Sequence, residues 1–143
     1  MLVELKNKIE EIDRLCDIVE DFCKKNGIVY KYHDVALILD EMVTNVINYA
    51  YPDGKPHDFY LEIEKKGEHL HMRLVDNGVE FNPLKEDVAD TDSDLEDRPI
   101  GGLGIFLVKQ LSEDVAYERK NDQNHLAIKV SLKKEDEDGS EEQ

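Results

Sequence analysis

The sequence predicts an α+β domain, because segments with helical periodicity accompany paired runs of alternating residues. In the helical runs, apolar residues recur at intervals of three and four. In the alternating runs, every second residue is apolar, as in an antiparallel sheet with one buried face. The helical runs are 7–26, 34–51 and 105–112, and the alternating runs are 58–66, 69–76, 115–117 and 126–132.

The chain opens with residues 1–5, which fit a short edge strand, and continues into the first helix. Gly27 follows this helix as a stop signal. Two cysteines lie seven residues apart on the helix, a spacing that matches neither a redox pair nor a zinc site. Both are therefore predicted to be reduced residues of the core. The apolar face of this helix consists of Ile9, Ile12, Cys16, Val19 and Cys23.

The second helix, residues 34–51, has an unusual polar side. It aligns Glu41, Asn45 and Asn48 at spacings of four and three residues. An amide oxygen one turn from a carboxylate can bind a divalent ion, and the carboxylate can accept a proton from a hydroxyl. A solvated helix face explains the same residues without any chemistry. The apolar face consists of Val35, Leu39, Met42, Val43, Val46 and Ala50.

The first pair of alternating runs ends in Asp76-Asn77-Gly78. A carboxylate at this point can accept a hydrogen bond from an exocyclic amine such as that of adenine, and Gly78 lets a ring approach the backbone. The same residues also fit a common hairpin turn. On the outer face of the second run, His69 and His71 are predicted to be solvated, because no third metal ligand has a suitable spacing.

Residues 84–98 form an acidic loop with seven acidic and two basic side chains. A mobile loop followed by glycines is typical of a lid that closes over a ligand. Its cations, Lys85 and Arg98, can each reach a terminal phosphate. The segment 101–104, Gly-Gly-Leu-Gly, then opens the third helix, where backbone N–H groups and the helix dipole favour an anion. A flexible hinge before an ordinary helix explains these glycines equally well.

The chain of 143 residues suits one domain, predicted over residues 1–133, with a disordered acidic tail at 134–143. The net charge is −16, and −12 remains outside residues 133–143, which carry two lysines and six acidic residues. So acidic a surface repels phosphate backbones and anionic headgroups, and neither nucleic acid nor a membrane is an expected partner. No apolar window spans a bilayer and no signal-peptide pattern opens the chain, so we expect a cytoplasmic protein.

The order of these motifs resembles the GHKL superfamily of ATPases, which includes histidine-kinase catalytic domains, gyrase B and Hsp-ninety-type chaperones. More closely, the chain looks like the anti-sigma-factor serine kinases, the RsbW-like branch. The resemblance covers nearly the whole chain before the acidic tail and depends on three motifs occurring together in order. The matching segments are 41–45 (EMVTN) with 49–51, 76–78 (DNG) with Phe81 and Pro83, and 98–99 with 101–105 (GGLGI).

This resemblance implies a two-layer α/β sandwich with a mixed, mainly antiparallel sheet and helices on one face. It implies ATP between the second helix and the lid, with Mg²⁺ coordinated by Asn45 and the adenine amine recognised by Asp76. Gly78 would give the base room. In kinases of this family, the residue that matches Glu41 is the general base that activates a serine hydroxyl. The other nucleotide-binding residues that it implies are Arg98, Gly101, Gly102, Leu103 and Gly104.

The implied function is a Mg-ATP-dependent serine/threonine kinase whose substrate is a STAS-domain anti-anti-sigma protein. The resemblance also implies a sigma factor as a second binding partner, and related domains often form homodimers. A second hypothesis is a protein-binding module that holds ATP with little turnover. A third is an α/β domain with no nucleotide. The sequence departs from the family at 124–126, where Asn-His-Leu stands in place of a small Gly-Thr-like pair. We therefore expect one base-side or phosphate-side contact to be lost, and the acidic lid to weaken ATP binding.

Overall fold

The computed structural model describes residues 1–85 and 102–134, in which three α-helices accompany a five-stranded sheet. Two short 3₁₀ turns, Val29–Lys31 and Pro83–Lys85, complete the regular structure of these residues. The elements in chain order are β1 (Leu2–Lys6), α1 (Glu11–Lys25), α2 (Tyr32–Tyr49), β2 (Asp58–Lys66), β3 (His69–Asp76), α3 (Gly102–Leu111), β4 (Asp114–Lys120) and β5 (Gln123–Ser131).

The strands lie in the order β1-β2-β3-β5-β4, and the α+β class is confirmed. All four pairings are antiparallel, where the resemblance implied a mixed sheet. Tight turns explain part of this difference, since strands joined by two or three residues can only pair antiparallel. Gly67 takes a left-handed φ of 60° between β2 and β3, and Asn121 and Asp122 take φ of 56° and 60° between β4 and β5.

The core lies between the sheet and the helices. The predicted inward residues of β2, β3 and β5 are all buried, and so is the predicted apolar face of α2. The first helix was predicted less well. Ile9 lies before α1 and is 55% exposed. Leu15, which was not predicted to face the core, is fully buried. Cys16 is only half-buried, and both cysteines are free thiols.

Several predicted features lie partly or wholly outside residues 1–85 and 102–134, which the structure describes. Of the predicted lid, residues 84 and 85 lie in a 3₁₀ turn, and the remainder, including Arg98, lies outside the described residues. Gly101 and the tail from residue 135 onwards lie outside them as well. His69 is not simply solvated, because its Nε2 lies 2.8 Å from a Glu113 carboxylate oxygen. No described helix is long and apolar enough to cross a membrane.

Candidate nucleotide-binding site

A small cavity lies where α2 passes over the end of β3 and the beginning of β5. Its polar lining consists of Asn45, Asp76 and Asn124, which are 7%, 6% and 4% exposed. Buried polar groups without an evident packing role are unusual, because each one must be compensated by a partner. The apolar lining consists of Met42, Val46, Ala50, Leu74, Phe81, Pro83, Tyr117 and Leu126.

The alternation of β3 places Asp76 in this cavity. Leu70, Met72 and Leu74 are buried beneath the helices, and Asp76 is the next residue with the same orientation. A carboxylate therefore occupies the last core-facing position of a strand that has neighbours on both sides. The hairpin-turn alternative for residues 76–78 is wrong, because β3 pairs with β2 and β5, and the chain leaves the sheet after Asp76.

Two hydrogen bonds orient the Asp76 carboxylate, and both are accepted by Oδ1. The backbone N–H of Gly78 donates one at 2.9 Å, and the side-chain amide of Asn124 donates the other at 2.8 Å. Within the described residues, Oδ2 is thus the oxygen available to an external donor. A carboxylate held in this way can accept a hydrogen bond from an amine without first being reoriented.

Asn124 is the residue that sequence reasoning missed. Its Nδ2 also donates to the carbonyl of Val79 at 2.8 Å, and its Oδ1 accepts from the Tyr117 hydroxyl and from the backbone N–H of Phe81. In the segment 124–126, where we expected a contact to be lost, Asn124 thus contacts Asp76 itself. A signal existed in the sequence, since residue 124 continues the inward alternation of β5.

Burial raises the pKa of Asp76 above its ordinary value. The hydrogen bonds from Asn124 and Gly78 and the positive charge of Arg119 act in the opposite direction and limit the increase. Arg119 is anchored nearby, because its guanidinium donates to the carbonyl of Gly78 at 2.9 Å. The site thus holds a carboxylate whose negative charge is poorly solvated, which favours an incoming hydrogen-bond donor.

Gly78 is needed by the protein's own packing. An ideal Cβ at this position would overlap the carbonyl group and the side chain of Ala50, with the Ala50 Cβ only 2.7 Å away. The adjacent N–H of Val79 donates to the same carbonyl oxygen of Ala50 at 2.8 Å. The segment that follows β3 is therefore fastened to the end of α2 by backbone contacts, whatever role the glycine has toward a base.

Glu41 lies one helical turn before Asn45 and is half-buried. Its carboxylate packs against Gly104 in the first turn of α3, so closely that a Cβ on Gly104 would overlap it. Burial raises the pKa of Glu41, and the negative charge of Asp40 raises it further. A carboxylate with a raised pKa is a stronger base toward a hydroxyl than an ordinary glutamate.

The arrangement fits a magnesium nucleotide by the chemistry of its donors. Mg²⁺ prefers oxygen ligands and is commonly held by one or two protein groups together with phosphate oxygens. The buried amide of Asn45 is such a group, and the described residues contain no cluster of three or more His, Cys, Asp or Glu that could hold an ion alone. Gly102 and Leu103 supply the first backbone groups of α3, whereas Arg98 and Gly101 lie outside the described residues.

The cavity must widen to admit a base. Its volume is about 20 Å³, which is enough for one water molecule. Phe81 closes one side and stacks on Tyr49, with 5.0 Å between the ring centroids. A planar base would fit beside Asp76 and Asn124 only if Phe81 moved away from Tyr49.

Known proteins with similar sequences include several kinases. Similar curated proteins include the serine/threonine-protein kinase BtrW of Bordetella bronchiseptica, 24% identical over 94 residues that cover 66% of each chain. The serine-protein kinase RsbW of Listeria monocytogenes is 35% identical over 89 residues, which cover 57% of this chain and 55% of that protein. The chain thus spans roughly half to two thirds of the length of these relatives.

A histidine kinase domain from Erythrobacter litoralis EL346 shares the fold, with a TM-score of 0.54 at 17% identity over 87% of this chain and 60% of that one. The family described as histidine kinase-like ATPase domain matches residues 5–130, which is most of the chain. The protein is therefore a member of the histidine kinase-like ATPase domain family.

Proposed function

We propose that this protein binds Mg-ATP between α2 and the end of β3 and phosphorylates a serine or threonine of a partner protein. One observation carries the proposal. Two buried polar side chains, Asn45 and Asp76, face the same cavity, and a half-buried carboxylate, Glu41, lies one turn away on the same helix. Together they supply a metal ligand, a base-recognition group and a proton acceptor.

Each residue has a distinct role in the proposal. Asp76 accepts a hydrogen bond from the adenine amine through Oδ2, since Oδ1 is occupied by its two internal donors. Asn45 offers its amide oxygen to Mg²⁺, which supplies charge compensation to the phosphates. The first turn of α3, which packs against Glu41 through Gly104, would bind the phosphates through the backbone N–H groups of Gly102, Leu103 and Gly104. Arg98 and Gly101 complete the nucleotide contacts in this proposal.

Glu41 acts as the general base. Phosphoryl transfer depends chiefly on positioning and charge compensation, and a base that holds the attacking hydroxyl in line adds to both. The raised pKa of Glu41, caused by burial and by Asp40, increases its affinity for the hydroxyl proton. It also means that activity falls as the pH drops through this pKa, because the protonated carboxyl can no longer accept a proton.

The proposal also includes the identity of the partner proteins. BtrW is named as a serine/threonine-protein kinase and RsbW as a serine-protein kinase, and the chain aligns with 66% and 55% of their lengths. We propose a STAS-domain anti-anti-sigma protein as the phosphate acceptor and a sigma factor as a second binding partner. A homodimer is part of the same proposal, and no described element covers the outer face of the sheet, where Leu2 and Tyr60 are 63% and 39% exposed.

The alternative is a module that holds ATP as a structural ligand and binds its partner without turnover. The observation that favours it is the contact between Glu41 and Gly104, which partly covers the carboxylate. The two functions share the nucleotide site and differ only in whether Glu41 receives a proton during transfer.

The test compares Glu41→Gln with Asn45→Ala and the unchanged protein. Labelled ATP, Mg²⁺ and a STAS protein are incubated with each, and nucleotide affinity is measured by calorimetry with and without Mg²⁺. We expect Glu41→Gln to keep its affinity and to lose transfer by about 100-fold or more. We expect Asn45→Ala to lose the Mg²⁺ dependence of binding.

Two results would contradict the proposal in different ways. If the unchanged protein binds ATP and phosphorylates no STAS protein, the binding-module alternative replaces the kinase. If calorimetry shows no heat with ATP and Mg²⁺, the nucleotide site itself is wrong.

A further inference from the structure

Gly104 occupies a position in α3 where nothing in its own backbone requires a glycine. It lies inside the helix, and its φ is outside the left-handed region. Glycine is unfavourable relative to alanine in a helix, because it has more backbone freedom to lose on folding. The reason for a glycine must therefore lie in what surrounds this position.

The neighbour that explains it is the carboxylate of Glu41. An ideal Cβ on Gly104 would come within 3.0 Å of the Glu41 Cδ and of both carboxylate oxygens, a separation that real Cβ atoms essentially never show. The three nearest atoms to the missing methyl group all belong to this carboxylate. Gly104 thus provides a recess in the surface of α3, and the end of the Glu41 side chain fills it.

We propose that Gly104 is a positioning residue for Glu41, which it holds in one place by leaving a recess for the carboxylate between α2 and α3. A glutamate side chain has three rotatable bonds, and a recess that accepts only its end selects among their conformers. This role depends on the missing Cβ of Gly104 and is separate from the contact between its backbone N–H and the phosphates in the proposed function. Its catalytic meaning rests on the proposed function, whereas the positioning itself does not.

The recess also accounts for the environment of the carboxylate. Burial is the largest cause of the raised pKa of Glu41, and the first turn of α3 packs directly against its carboxylate. The other charge that raises this pKa is Asp40, its neighbour on α2. A methyl group in the recess would push the carboxylate toward solvent and lower its pKa toward the ordinary value, while leaving Asp40 where it is.

The first test measures the position of the carboxylate without nucleotide or partner. The Glu41 carboxyl carbon is titrated by carbon-13 NMR in the unchanged protein, in Gly104→Ala and in Gln110→Ala, an exposed control on the same helix. We expect a lowered Glu41 pKa in Gly104→Ala alone. Because only a flexible side chain must move, we expect the melting temperature of Gly104→Ala to stay unchanged or rise.

A double-mutant comparison isolates the steric contact. In a Glu41→Ala background there is no carboxylate for the new methyl group to meet, so Gly104→Ala should raise the melting temperature more than it does beside Glu41. Equal shifts in the two backgrounds would show that the residues do not restrain each other, and this would overturn the proposal.

The second test measures transfer. With Mg-ATP and the STAS protein, Gly104→Ala should lose phosphate transfer by about 100-fold, close to the effect of removing a general base, with unchanged nucleotide affinity. Gln110→Ala should match the unchanged protein. If Gly104→Ala instead loses nucleotide affinity and leaves the Glu41 pKa unaltered, Gly104 supports phosphates and the positioning role is wrong.

The two tests separate failure of this inference from failure of the proposed function. A protein that transfers no phosphate refutes the kinase, yet the Glu41 titration still decides whether Gly104 positions the carboxylate. A lowered Glu41 pKa in Gly104→Ala together with full transfer would overturn the claim that this position matters for catalysis.

Discussion

The two ends of the candidate site are held by different means. At the Asp76 end, two hydrogen bonds fix the carboxylate, and Gly78 presses backbone against the backbone of Ala50. At the Glu41 end, the carboxylate is the flexible tip of a side chain that lies in the recess of Gly104. The Asp76 end is thus fixed by hydrogen bonds and backbone contacts, whereas the Glu41 end is positioned only by side-chain packing against α3.

The two glycines make this contrast testable, because neither has a left-handed φ and both would place a Cβ on an occupied position. The two positions differ in which atoms the new Cβ would overlap. Beside Gly78 it is the Ala50 carbonyl, which cannot move without shifting the end of α2. Beside Gly104 it is a carboxylate that can rotate away. The same substitution should therefore damage folding at one end of the site and chemistry at the other.

The largest effect is expected from Gly78→Ala. The new methyl group overlaps backbone atoms of Ala50 and strains the hydrogen bond from Val79 to the same carbonyl, so we expect a loss of about 3 kcal/mol in the free energy of unfolding. Urea denaturation measures this. Glu80→Ala, an exposed change two residues away, is the matched control and should change stability by less than about 0.5 kcal/mol. A Gly78→Ala protein as stable as the control would show that this end is not rigid.

A smaller loss of stability is expected from Asn124→Ala. The change removes one of the two donors to Asp76 and leaves the carbonyl of Val79 and the hydroxyl of Tyr117 without their shared partner. Buried groups deprived of a hydrogen bond cost about 2 kcal/mol in total here. We also expect weaker ATP binding, because Asp76 is no longer oriented.

Gln123→Ala, next to it on β5, serves as the control for Asn124→Ala in both measurements, urea denaturation and calorimetry with Mg-ATP. If Asn124→Ala binds ATP as tightly as this control, the orientation of Asp76 does not depend on Asn124.

Asp76→Asn should alter binding more than folding. An amide keeps the acceptor for the Gly78 N–H but loses the charged acceptor that we propose for the adenine amine, so we expect ATP affinity to fall by about 10- to 100-fold. Calorimetry measures this loss. Without nucleotide, the variant should be as stable as the unchanged protein or more so at neutral pH, since burial disfavours the ionised Asp76.

The difference in stability between the unchanged protein and Asp76→Asn should change with pH in a definite direction. Because the folded state raises the pKa of Asp76, it binds the proton more tightly than the unfolded chain does. The stability of the unchanged protein relative to Asp76→Asn should therefore fall as the pH rises from about 4, the ordinary aspartate pKa, through the raised value. A relative stability that increases over this range would mean that hydrogen bonds outweigh burial at Asp76.

Gly104→Ala completes the series with the smallest effect on folding, a change within about 1 kcal/mol that favours the variant through helix propensity. Compared with Gly78→Ala, it sharpens the contrast, since one added methyl group is expected to destabilise the fold at one position and only to displace a carboxylate at the other.

The sequence by itself determined the fold class, the buried faces of α2, β2, β3 and β5, and the order of the motifs. Alternation places Leu70, Met72 and Leu74 on one face whatever covers it, and a helical period of 3.6 places Val35 and Leu39 on another. These patterns are local and repeat within a few residues, which is why they can be read from the chain. The edges of elements were less well determined, as at β5, which begins at Gln123.

The tertiary structure alone decided which distant residues share the site. Asn124 meets Asp76 across 48 positions of sequence, and Gly104 meets Glu41 across the α2–α3 contact. Neither pairing has a local period, because each depends on the strand order β3-β5-β4 and on how two helices pack. A sequence motif shows which chemical groups are present. The contacts of each group, and the direction in which its pKa shifts from the ordinary value, depend on the folded structure.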